Sequence, residues 1–164
     1  MLTNYDLEDL CEYYNVPLVG IYMKDQLPSR IKDGNYIINL ESSCDGKNKG
    51  THWTTLVIQS PNAMFYDSYG APPSLEIREF VKRIRKGIHL GFNNWVIQDI
   101  HSENCGYFCL DFLRNIIPTR LFESANAYIN QFQDDTRTND DILRHNFKGE
   151  GNQPKLIQRL LKQR

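Results

Sequence analysis

The chain has 164 residues, 40% of them apolar and 24% charged, which suits one compact domain and excludes wholesale disorder. Nineteen basic against twenty acidic residues leave a net charge of −1, which excludes the chain as a whole as an electrostatic DNA binder and leaves only local patches open. No uncharged apolar run approaches the roughly eighteen residues that a spanning helix needs, so no membrane contact is expected.

Met1–Asp6 lacks a basic start and an apolar stretch, so no secretory signal is expected there. Cys11, Cys44, Cys105 and Cys109 then read as reduced thiols. Thr3, with Asp6 three residues on, predicts a capping box and a helix to about Tyr13, stopping before Pro17. The stripe Leu7, Leu10, Cys11, Tyr14 puts Cys11 in the core. Val19–Met23 and Tyr36–Leu40 predict short strands. Glu41–Thr51 is polar with two glycines and predicts a flexible loop. Trp53–Gln59, a turn at Pro61-Asn62 and Met64–Asp67 predict a hairpin.

Ser74 predicts the cap of a second helix, with Ile77, Phe80, Val81 and Ile84 on one face and Gly87 at its end. Trp95–Ile97 predicts a strand, and Gly106–Ile117 an apolar helix ended by Pro118. Thr119–Arg164 is polar and predicts helix in three pieces. No internal repeat is present. Strands and helices interleave without a regular βαβ beat, so the expected class is α+β, with a mixed, mainly antiparallel sheet flanked by helices. The break near Pro118 predicts a core over 1–118 and a helical extension over 119–164 packed on it.

The chemistry-bearing residues fall at element ends. His52 precedes a strand, Asp67 ends its partner, Gln98 ends the strand Trp95–Ile97, and Cys105 opens the apolar helix. A thiol attacks as its thiolate, only a few per cent of which exists at pH 7 for an ordinary cysteine; a helix N-terminus and a neighbouring imidazolium both favour it. Gly106 lets backbone approach closely and leaves N–H groups for an oxyanion. His52 would pass the proton, Asp67 would orient the imidazole, and Gln98 would offer an amide N–H to the oxyanion. Each residue also has a structural reading: Cys105 and Cys109 as core, His52 as a strand residue beside Trp53, Asp67 as a turn former, Gln98 as an ordinary polar residue. A zinc site from Cys44, His52, Cys105 and Cys109 matches no common spacing, and no metal is expected.

The set Gly50-Thr51-His52-Trp53, Phe65-Tyr66-Asp67-Ser68-Tyr69-Gly70, Gln98 and Asn104-Cys105-Gly106-Tyr107-Phe108-Cys109 resembles the adenain and ubiquitin-like-protease clan of cysteine peptidases. The order His, acid, Gln, Cys is the reverse of papain-like enzymes. The gap from Gln98 to Cys105 looks closer to adenovirus-type maturation proteases than to SUMO proteases. Gly20-Ile21-Tyr22, Leu27-Pro28 and Ile37-Ile38-Asn39 look like the N-terminal part of adenain-type enzymes, and the resemblance covers about residues 15–117. Such enzymes occur in adenoviruses, virophages and virus-like transposons. One departure is Asp67, where adenovirus enzymes mostly carry Glu.

The resemblance implies a cysteine endopeptidase with catalytic His52, Asp67, Gln98 and Cys105. It would cleave viral capsid or core precursors beside small residues such as Gly, in the virion and at the intracellular assembly site. Trp53 and the loop Ile100-His101-Ser102-Glu103 would line a narrow substrate tunnel beside Gly106, although Trp53 also suits a packing role. No cofactor is implied beyond activation by a viral peptide or DNA; a disulfide-linked peptide would need Cys44 or Cys109. A monomer is expected. Nonspecific DNA contact would use Arg78, Lys82, Arg83, Arg85 and Lys86 on one helix and Lys155, Arg159, Lys162 and Arg164 on the last. Those residues also suit solvated helix faces, and Leu156, Ile157, Leu160 and Leu161 suit docking of the last helix on the core. The alternatives are a deubiquitinase or SUMO-type isopeptidase, and a non-catalytic module that keeps the scaffold.

Overall fold

The computed structural model describes residues 1–43, 52–83, 87–149 and 151–163. Helix α1 spans Asn4–Tyr13 behind the capping box: Asp6 N–H donates to Thr3 Oγ1 at 3.2 Å and Thr3 N–H to Asp6 Oδ2 at 2.8 Å. Strands β1 (Gly20–Met23), β2 (Gly34–Asn39), β3 (Trp53–Gln59), β4 (Asn62–Tyr66) and β5 (His89–Phe92) form one five-stranded sheet in chain order. The sheet is mixed: β2/β3 and β3/β4 pair antiparallel at its centre, while β1/β2 and β4/β5 pair parallel at its edges. Helix α2 (Leu75–Lys82) lies between β4 and β5 in sequence, and α3 (Cys105–Asn115), α4 (Leu121–Ile129), α5 (Thr136–Asn146) and α6 (Lys155–Leu161) follow the sheet. The class is α+β, as the sequence predicts.

The central strands are apolar on both faces because each face is covered. Side chains alternate across a strand, so Leu56, Ile58, Ala63 and Phe65 meet Ile77, Phe80 and Val81 of α2. Val57, Met64 and Tyr66 instead meet Phe108 and Phe112 of α3. Tyr66 stacks on Phe112 with ring centroids 4.3 Å apart and planes 6° from parallel. The same buried cluster takes in Leu7 and Leu10 of α1, Ala125 and Tyr128 of α4, Leu143 of α5, and Ile157 and Leu160 of α6. Helix α3 is therefore wrapped by sheet on one side and helices on the other, which accounts for its burial along its whole length up to Leu113. No helix among the described residues is long and apolar enough to cross a membrane.

Two local expectations fail. Trp95–Ile97 is not a strand; the chain is irregular there, and the fifth strand is His89–Phe92 instead. The physical reason is Asn93. Its side chain takes the backbone groups of Asp67 that a further ladder rung would need: Asp67 N–H donates to Asn93 Oδ1 at 3.0 Å, and Asn93 Nδ2 donates to the Asp67 carbonyl at 2.7 Å. The second difference is in α2, which ends at Lys82 with no side-chain cap bond from Ser74. Ile84, Arg85 and Lys86, expected on that helix, lie outside the described residues, as do Cys44–Thr51 of the expected loop and Arg164.

Candidate active site

The sheet register delivers His52 to Asp67. The pair Thr55↔Tyr66, continued three residues past the ladder, sets His52 opposite Tyr69 and diagonal to Asp67 on one face. The contacts follow. The His52 ring lies 4.6 Å from the Tyr69 ring, and its Nε2 is 2.6 Å from Asp67 Oδ1. Asp67 is 1% exposed. Its Oδ1 also accepts the Tyr69 N–H at 2.8 Å, and its Oδ2 is buried with no partner among the described residues. Such a carboxylate is costly to bury without a counter-charge, and a protonated His52 supplies one. At the turn's end Gly70 has φ +71°, and a Cβ there would meet the Trp95 backbone at 2.7 Å, so only glycine suits it.

Cys105 opens α3, as the sequence predicts, and is close enough to His52 to hydrogen-bond with it. With Nε2 taken by Asp67, Nδ1 is the ring nitrogen left for sulfur. Burial alone would lower the His52 pKa; hydrogen bonds to Asp67 and Cys105, and their negative charge, outweigh it and push the imidazole up to about 9. The structure therefore brings His52, Asp67 and Cys105 together.

Gln98 is fully buried in the irregular segment that follows β5 rather than at a strand end. Its Nε2 donates to the Ser102 carbonyl at 2.8 Å and meets Ser102 Oγ at 3.4 Å, while its Oε1 accepts from Ser68 Oγ at 2.6 Å. Ser102 is a brace. Its carbonyl also accepts from Tyr69 Oη at 3.2 Å and its Oγ from Asn104 N–H at 3.2 Å. It lines a depression on the α5 side with Asp140 and Arg144. Gly106 is buried, and a Cβ there would meet Leu2 Cδ1 at 3.0 Å, so the segment before α1 packs closely over it. Trp53 packs in the core, as one of its two expected roles has it. It is 5% exposed and donates its indole N–H to the Leu2 carbonyl at 2.8 Å. It also helps to line a cleft of about 830 Å³ with Ile21, Tyr22 and Met23 of β1, Gln26 and Glu103.

Cys109 is 1% exposed inside the core, so it offers no attachment point for an activating peptide; Cys44 lies outside the described residues. Arg83 lies over the Phe80 ring at 5.5 Å, and Arg78 Nε donates to the Pro73 carbonyl at 2.9 Å. On α6, Ile157 and Leu160 are buried while Lys155, Arg159 and Lys162 face solvent.

Residue reasoning missed Asn93, which clamps the Asp67 backbone, and Asn104. Asn104 stands at the N-cap of α3 but makes no cap bond. Its side chain pairs reciprocally with Gln163 (Nδ2 to Oε1 at 2.8 Å, Nε2 to Oδ1 at 3.1 Å) and donates to Asp140 Oδ2 at 3.1 Å. An asparagine directly before Cys105 is the one sequence signal that pointed to it.

No family model matches the chain, and no curated protein does. Solved structures of the ASFV pS273R protease do match. One is 14% identical at a TM-score of 0.46, covering 78% of this chain and 65% of that one. Another, with selenomethionine, is 16% identical at a TM-score of 0.37, covering 57% of this chain and 42% of that one. The chain thus spans less than two-thirds of the length of that protease in either structure.

Proposed function

We propose that the chain is a cysteine endopeptidase that cleaves viral precursor proteins beside small residues such as Gly. The observation that carries this reading is the His52 imidazole held between a buried carboxylate at 2.6 Å and a thiol at the start of a buried helix. The cleft beside Trp53 runs along β1, whose outer edge is unpaired among the described strands, so an extended substrate can add there as a further strand.

In the reaction, the Cys105 thiolate attacks the scissile carbonyl carbon. The developing oxyanion is met by N–H groups of the first turn of α3 and by the Gln98 amide. The C–N bond breaks as His52 gives its proton to the leaving amine, and a thioester remains. Water then attacks the thioester, His52 takes the water's proton, and the acid product leaves Cys105.

Cys105→Ala is expected to abolish hydrolysis of a precursor or glycine-containing peptide and to leave the melting curve in place. Wild-type turnover by that variant, measured by terminal sequencing of fragments, refutes the proposal. Hydrolysis of ubiquitin-like reporters but not of short glycine peptides would identify the isopeptidase alternative.

A further inference from the structure

Ser68 is 1% exposed and adjoins Asp67, yet the mechanism leaves it without a task. Its carbonyl accepts the N–H groups of both Ile97 and Gln98 at 2.9 Å, and its hydroxyl donates to Gln98 Oε1 at 2.6 Å. The other end of the Gln98 amide faces the Ser102 carbonyl at 2.8 Å. A carbonyl only accepts, so the amide nitrogen must lie on the Ser102 side and its oxygen on the Ser68 side. A half-turn of the amide would set oxygen against oxygen at Ser102. One amide hydrogen is thus used on the Ser102 carbonyl. The second meets Ser102 Oγ at 3.4 Å, a weak contact that a developing oxyanion can displace.

We propose that Ser68 is a positioning residue for the oxyanion donor: its hydroxyl anchors the oxygen end of the Gln98 amide, whose nitrogen the Ser102 carbonyl holds toward the nucleophile loop. The inference rests on the peptidase reading and adds to it that one turn serves both halves of the site. Asp67 reaches His52, Ser68 reaches Gln98, and Tyr69 reaches both the His52 ring and the Ser102 carbonyl.

The test uses the p-nitrophenyl ester of an N-acylated glycine, an activated acyl donor that needs no particular cleavage sequence. Ser68→Ala is expected to lower kcat about tenfold, the worth of one hydrogen bond, with KM unchanged. Gln98→Ala is expected to lower it about a hundredfold. The double variant should be no slower than Gln98→Ala, because Ser68 acts only through that amide. Alkylation of Cys105 by iodoacetamide, which forms no oxyanion, should keep its wild-type rate in Ser68→Ala. Wild-type kcat in Ser68→Ala, or a loss that multiplies with that of Gln98→Ala, overturns the inference. Should Ser68→Ala not fold, Ser68→Thr decides: retention of kcat within about threefold supports it, since the hydroxyl is kept, and a folded variant more than about tenfold slower overturns it. Hydrolysis that survives in Cys105→Ala would instead sink the peptidase reading.

Discussion

His52 answers to two partners, and its proton is the quantity they set. Burial favours the neutral ring, whereas Asp67 and Cys105 favour the cation and prevail, so the proton is held to about pH 9. kcat/KM is expected to fall as pH rises through about 9, because a neutral His52 has no proton for the leaving amine. A pH–rate profile with its alkaline limb near 6.5 instead would contradict the geometry. The same shift fixes a sign for stability. The native state holds this proton more tightly than the unfolded chain, so its stabilisation is complete below the ordinary histidine value of about 6.5. It shrinks from there and is gone above about 9. Unfolding free energy measured in urea across that window should therefore decline with pH, and should decline less in Asp67→Asn. At this scale His52, Asp67 and Cys105 were legible because each is a reactive type at an element end. Asn93 and Ser68 were not, since an asparagine or serine beside a strand looks the same whether it turns the chain or clamps a neighbour's backbone.

Among the elements, α3 is tied to both α4 and α5 through one buried carboxylate. Asp111, 1% exposed, accepts from Tyr128 Oη of α4 at 3.0 Å and from Asn146 Nδ2 of α5 at 2.8 Å. Burial pushes its carboxyl above the ordinary range, and the two hydrogen bonds offset part of that. Asp111→Ala would strand both donors, and a loss of about 3 kcal/mol is expected from chemical denaturation. A change below about 0.5 kcal/mol would mean the helices are held by apolar packing alone. Helix α3 was readable from sequence because its apolar residues surround it. Strand β5 was not: His89-Leu90-Gly91-Phe92 has little β-branched character, and Gly91 is there for a close approach, a Cβ lying 2.7 Å from Phe122 Cε1. The more apolar triplet Trp95-Val96-Ile97 drew the strand assignment that tertiary hydrogen bonding gave to β5.

Across the whole molecule, the sheet separates two apolar layers, and the larger one joins α1, α3 and the three later helices. Contact between distant parts of the chain reaches the residue before Cys105, Asn104, whose amide is paired with Gln163 of the segment after α6. Gln163→Ala should slow turnover by about threefold while costing no more than about 1 kcal/mol, because the pair is partly solvated but fixes the residue before Cys105. Unchanged kinetics would show that Asp140 alone suffices. Nothing in the polar tail's composition announced that pairing; only packing could bring positions 104 and 163 together.

Every strand lies beside its neighbour in the chain, and the sulfur comes on a helix that follows them all. A ribosome therefore releases the imidazole and its carboxylate before the thiol, and the helices that cover the far side of α3 after it. The three groups can meet only once the chain has been made as far as α3, so in the proposed peptidase the order of emergence keeps any shorter nascent copy from its own chemistry.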